Sequence, residues 1–265
     1  MERRERKVSI LTVKQLTKQF GGLIANNNID MDVQKGSITA VIGPNGAGKT
    51  TLFNMVTGVY QPTSGDILLN GESLVGLKPH QVAQKGISRT FQNIRLFGAM
   101  TVLENVMVGM HTHLRSGLFH TIFSTPLMRK EEKEAKQEAY RLLQYVGLES
   151  LYNEEAKNLP YGAQRKLEIA RALATKPKVL LLDEPAAGMN PKETAELTKL
   201  IYDMREQLQL TIILIEHDMK LVMEISEHII VLDHGEKIAE GTPDDIRNNE
   251  KVIEAYLGKG ATTAS

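Results

Sequence analysis

Gly43-Pro44-Asn45-Gly46-Ala47-Gly48-Lys49-Thr50 is the stretch on which the reading of this chain turns. A glycine, four residues and then Gly-Lys-Thr is the spacing of a loop that wraps phosphate, because its glycines let successive backbone N–H groups converge into an anion nest. A helix starting near Gly48 adds the positive end of its dipole. Lys49 would lie along the β- and γ-phosphates as a point charge, the Thr50 hydroxyl would complete the shell of a Mg²⁺ ion, and Thr51 can donate to the α-phosphate. The flanks agree: Ile38-Thr39-Ala40-Val41-Ile42 is an apolar β-branched run, and Thr51-Leu52-Phe53-Asn54-Met55-Val56 can continue as a helix. Strand, loop, helix is the setting in which this spacing predicts a nucleotide site.

Further along, Val179-Leu180-Leu181-Leu182-Asp183-Glu184 is a continuous apolar run ending in two acids. That pattern suits a strand buried on both faces of a parallel sheet, with its polar end at the site. Two carboxylates there need separate tasks. Asp183 can hold Mg²⁺, directly or through water, and Glu184 can orient and deprotonate an attacking water. His217 stands just after the next apolar run, Thr211-Ile212-Ile213-Leu214-Ile215, where it is either structural or a γ-phosphate contact that senses departure of that group. Gln92 follows Ile87-Ser88-Arg89-Thr90-Phe91, an expected strand, and reads there as a polar loop residue. Phe20, before Gly21-Gly22, is a core residue or a platform on which a purine stacks.

Composition narrows the class. At 265 residues and 42% hydrophobic content, the chain can form one large domain or a core with a subdomain. Lys plus Arg and Asp plus Glu both number 32, so no overall basic field recruits nucleic acid or anionic lipid. The absence of cysteine excludes disulfides and thiolate metal sites and fits a reducing compartment. Residues 1–7 read as a solvated charged tail, and the apolar runs are too short to cross a bilayer, so any membrane role is expected through a partner.

The rest of the chain supplies scaffolding. Ile29, Met31 and Val33 alternate with Asp30 and Asp32, which predicts a half-buried antiparallel strand. Asn70-Gly71 after Ile67-Leu68-Leu69 predicts a hairpin. Residues 101–159 turn helical, with Ala135, Ala139, Leu142, Leu143 and Val146 on one face, and residues 117–126 read as a loop or short helical insertion. Tyr161-Gly162-Ala163-Gln164-Arg165 is expected as a turn preceding a helix, residues 194–208 as a helix, and Thr242-Pro243 as the cap and first residue of another.

In this order, Phe20, the phosphate loop, Gln92, residues 161–165, residues 180–184 and His217 resemble the ATP-binding subunits of ABC transporters. Arg89-Thr90-Phe91-Gln92-Asn93-Ile94-Arg95-Leu96-Phe97, Asp183-Glu184-Pro185-Ala186-Ala187-Gly188-Met189-Asn190-Pro191 and Ile215-Glu216-His217-Asp218-Met219 look like the branched-chain amino acid importer (LivG-type) ATPases. Urea or amide importers, lipopolysaccharide exporters and non-transport ABC ATPases are the alternatives. The resemblance implies an α/β fold: a RecA-like P-loop NTPase core with a parallel sheet, an antiparallel β subdomain, and an inserted helical subdomain at 93–159, with 1–92 and 160–265 forming the core. It further implies ATP and Mg²⁺, with Thr50, Gln92 and Asp183 on the metal and Glu184, His217 and Gln92 in catalysis. Two subunits would sandwich two ATP molecules, the phosphate loop of one facing Tyr161, Gly162, Ala163 and Gln164 of the other. Two transmembrane permease subunits and, indirectly, an external solute-binding protein are the implied partners, at the cytoplasmic face of the plasma membrane, with no nucleic acid. Two positions depart from the family pattern. Pro160-Tyr161-Gly162-Ala163-Gln164 stands where the signature reads Leu-Ser-Gly-Gly-Gln, putting a phenol in place of a serine, and Asn190 stands in place of an aspartate.

Overall fold

The computed structural model describes residues 8–110 and 126–257. The expected tail at 1–7, the insertion at 117–125 and the segment after Leu257 lie outside the described residues. In order the elements are β1 (Ser9–Phe20), β2 (Leu23–Gln34), β3 (Ile38–Ile42), α1 (Lys49–Val56), β4 (Ser64–Leu69), β5 (Glu72–Ser73), α2 (Pro79–Lys85), β6 (Ile87–Arg89), α3 (Val102–Met110) and α4 (Pro126–Val146). Then come α5 (Tyr161–Ala174), β7 (Val179–Asp183), α6 (Pro191–Leu208), β8 (Thr211–Ile215), α7 (Met219–Ile225), β9 (His228–Asp233), β10 (Glu236–Gly241), α8 (Pro243–Arg247) and α9 (Glu250–Leu257).

The central sheet runs β10-β9-β3-β8-β7-β6, parallel except for the β9–β10 pair. Every residue of β3, β7 and β8 is buried, the outcome expected of apolar runs covered on both faces. Side-chain alternation splits the core in two. Ile38, Ala40, Leu180, Leu182, Ile212 and Leu214 face the larger, helical cluster. Val41, Val179, Leu181, Ile213 and Ile215 face a second cluster shared with α1 and the antiparallel sheet.

That second sheet has the order β2-β1-β4-β5 and is antiparallel throughout. Ile29, Met31 and Val33 point into the core while Asp30 and Asp32 face solvent, as the alternation predicted. Asn70 and Gly71 both have positive φ, 50° and 82°, and make the tight turn between β4 and β5. On the other side, α3 and α4 pack against α5, with Ala139, Leu143 and Val146 buried and Glu132, Lys133, Glu134 and Lys136 exposed.

Three boundaries differ from expectation. The residues expected as a turn before a helix are its first turn, since α5 begins at Tyr161 with Pro160 at the cap. α6 begins at Pro191 rather than 194, because Asn190 Oδ1 accepts the Lys192 and Glu193 N–H groups while Glu193 reaches back to the Asn190 N–H. β6 ends at Arg89 because Phe91 exchanges ladder partners for side chains: its N–H faces Glu168 and its carbonyl accepts from Arg165.

Candidate active site

The loop at residues 43–50 joins the end of β3 to α1, at the edge where the parallel strands finish. Its curvature depends on glycine at both ends. Gly43 has φ 148°, and a Cβ there would overlap the Leu232 carbonyl oxygen. Gly48 has φ 97°, caps α1, and would bring a Cβ to 2.5 Å from the Ala25 oxygen and 2.6 Å from Asn26 Nδ2. Neighbouring elements brace the loop: Asn26 Nδ2 donates to the Gly48 carbonyl at 3.3 Å, and the Gly235 N–H to the Ala47 carbonyl at 3.1 Å. Lys49 Nζ donates to the Gly43 and Pro44 carbonyls at 2.7 and 3.0 Å, which holds the ammonium over the nest. Burial pushes the Lys49 pKa below its ordinary value, opposed by the nearby charges of Glu184 and Asp183.

A cleft of about 590 Å³ opens over this loop and is lined by Phe20, residues 45–51, Glu184, His217 and His234. Phe20 lies at the rim, 41% exposed, edge-on to Tyr60 with ring centroids 5.3 Å apart. The fold thus brings Phe20, the loop, Glu184 and His217 to one opening. Thr50 is exposed there at the start of α1.

The acids differ sharply in setting. Asp183 closes β7 and is buried, its Oδ2 accepting from Arg89 Nη2 at 2.6 Å. Arg89 also donates to Asn54 Oδ1 at 2.6 Å, and its guanidinium lies over the rings of Phe53 and Phe91, 5.6 and 5.2 Å from their centroids. Glu184, one residue on, has φ 47°, a left-handed conformation that costs a non-glycine residue roughly 1–2 kcal/mol. Its N–H donates to the Ile215 carbonyl at 2.9 Å, and this sharp exit turns the side chain out of the sheet. There Gln92 Nε2 donates to Glu184 Oε2 at 2.7 Å, and His217 Nε2 is 3.0 Å from Glu184 Oε1. Both carboxylate oxygens are held, one from each side.

Glu216 stabilises this arrangement from beneath. It is buried, with Oε1 accepting the Ala186 N–H at 2.7 Å and Oε2 the His217 N–H at 3.0 Å. It therefore ties the turn after the acid pair to the backbone carrying His217. Burial raises its pKa above the ordinary carboxylate value. Arg89, Asn26, Glu216 and His234 were not singled out from the sequence. The available signal was charge or amide inside or at the end of a strand run, as in Ile87-Ser88-Arg89 and Ile215-Glu216, which a buried strand tolerates only with a partner.

Residues 161–164 are not among the described residues lining the cleft. Gly162 falls in the first turn of α5, Gln164 Nε2 donates back to the Leu159 carbonyl at 2.9 Å, and the Tyr161 hydroxyl accepts from Arg165 at 3.4 Å. The phenol does not stand where a capping serine would act. That position is Pro160, which makes no side-chain cap. The amide of Asn190 is occupied in capping α6.

No three His, Asp or Glu residues converge on a metal position among the described residues. One oxygen of Asp183, the Thr50 hydroxyl and the Gln92 amide oxygen have no hydrogen-bond partner among the described residues. That sparse oxygen set fits Mg²⁺, which takes one or two protein oxygens and fills its shell with phosphate and water.

Residues 26–187 match the family described as ABC transporter, and residues 236–262 match the one described as branched-chain amino acid ATP-binding cassette transporter. The chain is 52% identical over 250 residues to the high-affinity branched-chain amino acid transport ATP-binding protein BraF of Pseudomonas aeruginosa, covering 94% of this chain and 98% of that one. Its fold superposes with a TM-score of 0.83 on the ADP conformation of MJ1267, an ATP-binding cassette of an ABC transporter, at 31% identity, covering 95% of this chain and all of that one. It also matches the dimeric post-hydrolysis state of the cassette MJ0796 bound to ADP and Pi, with a TM-score of 0.74 at 25% identity over 88% of this chain and 98% of that chain.

Proposed function

Because the chain belongs to the ABC transporter family of ATP-binding cassettes, we propose that it is the ATP-hydrolysing subunit of an importer for branched-chain amino acids. The observation that carries the catalytic part of this reading is the Glu184 carboxylate, held between Gln92 and His217 at the mouth of the phosphate loop. ATP lies with its phosphates against the N–H groups of residues 43–51 and Lys49, and its purine against Phe20. Glu184 takes a proton from water as that water attacks the γ-phosphorus, and the bond to the β,γ-bridging oxygen breaks to leave ADP and phosphate. His217 and Gln92 fix the direction of the Glu184 oxygens and place donors beside the departing group. Thr50, Gln92 and Asp183 would hold Mg²⁺, which would supply positive charge to offset that developing on the phosphate.

The position of residues 161–164 outside the cleft of their own chain supports a second ATP-binding subunit, to whose nucleotide they would turn the N-terminus of α5. ATP favours the closed pair only by its extra contacts there, so closure is driven by binding and reversed by hydrolysis. Residues 93–159 form the helical subdomain in this reading. A largely apolar groove of about 480 Å³, lined by Val59, Val82, Phe91 and Phe97 among others, is where a helix of a transmembrane permease subunit would dock. No helix among the described residues is long and apolar enough to cross a membrane, which fits peripheral attachment through such partners at the cytoplasmic face.

The test is uptake in a strain lacking this protein, with parent and Lys49→Ala chains restored in parallel. Leucine, isoleucine and valine uptake should return with the parent alone. Loss of urea or short-amide uptake in the deletion strain, with branched-chain uptake intact, would reject the branched-chain assignment.

A further inference from the structure

Arg165 has the largest fully buried side chain among the described residues, at 0% exposure, yet it carries a charge and lies outside the nucleotide cleft. It projects from the second turn of α5 into the loop after β6. Nη1 donates to the Phe91 carbonyl at 2.6 Å and to Glu168 Oε2 at 2.8 Å, and Nη2 donates to the Gln92 carbonyl at 2.8 Å. Glu168, also buried, turns its other oxygen to the N–H groups of Phe91 and Arg95, at 3.4 and 3.3 Å. Two side chains of one helix therefore grip both sides of the backbone that carries Gln92.

A buried ion pair of this kind adds little to net stability, because desolvation offsets most of the attraction. Its geometry specifies something else. An arginine presents its donors in a rigid planar fork, so it can hold two successive carbonyls in a fixed direction. Here the second carbonyl belongs to the residue whose amide holds Glu184 at 2.7 Å.

We propose that Arg165 and Glu168 are a positioning pair, which sets Gln92 against Glu184 from the helix that opens with residues 161–164. A displacement of α5 is then passed through two hydrogen-bonded carbonyls to the carboxylate that acts on water. The catalytic consequence rests on Glu184 being the base, whereas the clamp on the loop does not.

Removing Arg165 alone would strand the buried Glu168 charge and confound the result with misfolding. The informative variant is Arg165→Met with Glu168→Met, which replaces the pair by apolar volume. It should melt within a few degrees of the parent and bind ATP within about twofold, while kcat falls about tenfold or more, as expected for a displaced catalytic contact. Arg165→Lys, which keeps charge without the fork, should lie between the two. The absence of native cysteine allows Asn93→Cys to carry a single spin label beside Gln92. Its spectrum should be that of an immobilised label in the parent background and sharpen when the pair is replaced. A folded double variant with parental kcat overturns the positioning role, and an unchanged label spectrum overturns the clamp. If the parent itself hydrolyses no ATP, the proposed function fails while the label still decides the clamp.

Discussion

The phosphate loop and the strand-end cluster stand side by side in one cleft but are built by opposite means. The loop is contiguous, spans residues 43–50 and acts mainly through backbone N–H groups whose direction is set by glycines with positive φ. The cluster draws Arg89, Gln92, Asp183, Glu184, Glu216 and His217 from three separate segments, and it acts through side chains that hold one another. A backbone site tolerates little change at its glycines and much at its exposed side chains. A side-chain site depends on partners distant in sequence, so its failure modes are loss of charge balance and loss of aim.

Substitutions on either side sharpen this contrast. The largest effect is expected for Glu184→Gln, which keeps shape and the Gln92 contact but removes the base. ATP turnover should fall about 10³-fold, roughly 4 kcal/mol in the barrier, with ATP binding retained and dimers accumulating in size-exclusion chromatography. Parental turnover would remove Glu184 from the cluster's chemistry.

Next comes Arg89→Met, which leaves the buried Asp183 without its partner and should cost roughly 3 kcal/mol of folding stability by urea denaturation. Adding Asp183→Asn should recover most of that stability and none of the activity. If Arg89→Met proves neutral, the cluster is not held by charge balance.

On the loop side, Gly48→Ala forces a Cβ toward the Ala25 oxygen in a conformation with φ 97°, and should cost about 2 kcal/mol together with nucleotide affinity. Thr51→Ser, just past the loop in α1, should leave both nearly unchanged, so a large effect there would break the backbone-versus-side-chain distinction.

The smallest effect concerns Glu216. Its folded pKa is raised from 4.5 chiefly by burial, so the folded state keeps this proton to higher pH than the unfolded state does. Its contribution is fullest below about pH 4.5 and declines as pH rises through the folded value. The stability of the parent minus that of Glu216→Gln should therefore fall as pH rises above about 4.5. A rising difference would contradict the burial assignment.

How far each region was legible follows from the same contrast. The loop could be read because eight adjacent residues encode their own conformation, and strand-loop-helix order follows from the runs beside it. Asp183 and Glu184 could be read from a polar pair closing an apolar run. Arg89 could not, because its role exists only where β6 lies beside β7, a neighbourhood that hydropathy does not encode. The start of α5 was misplaced by a few residues because Pro160 caps without a hydroxyl, so the ordinary serine or threonine signal was missing.

The sequence by itself determined the phosphate loop, the buried parallel strands, the half-buried alternation of β2 and the chemical types available at the site. Local spacing is enough for these, since dihedral preference and side-chain period act over a few residues. Only the tertiary structure decided that Gln92 and His217 take opposite oxygens of Glu184, that Arg89 claims one oxygen of Asp183, and that Arg165 reaches the carbonyls of Phe91 and Gln92. Those contacts join residues 33 to 94 positions apart, and their geometry is fixed by strand order and by packing on both faces of one sheet.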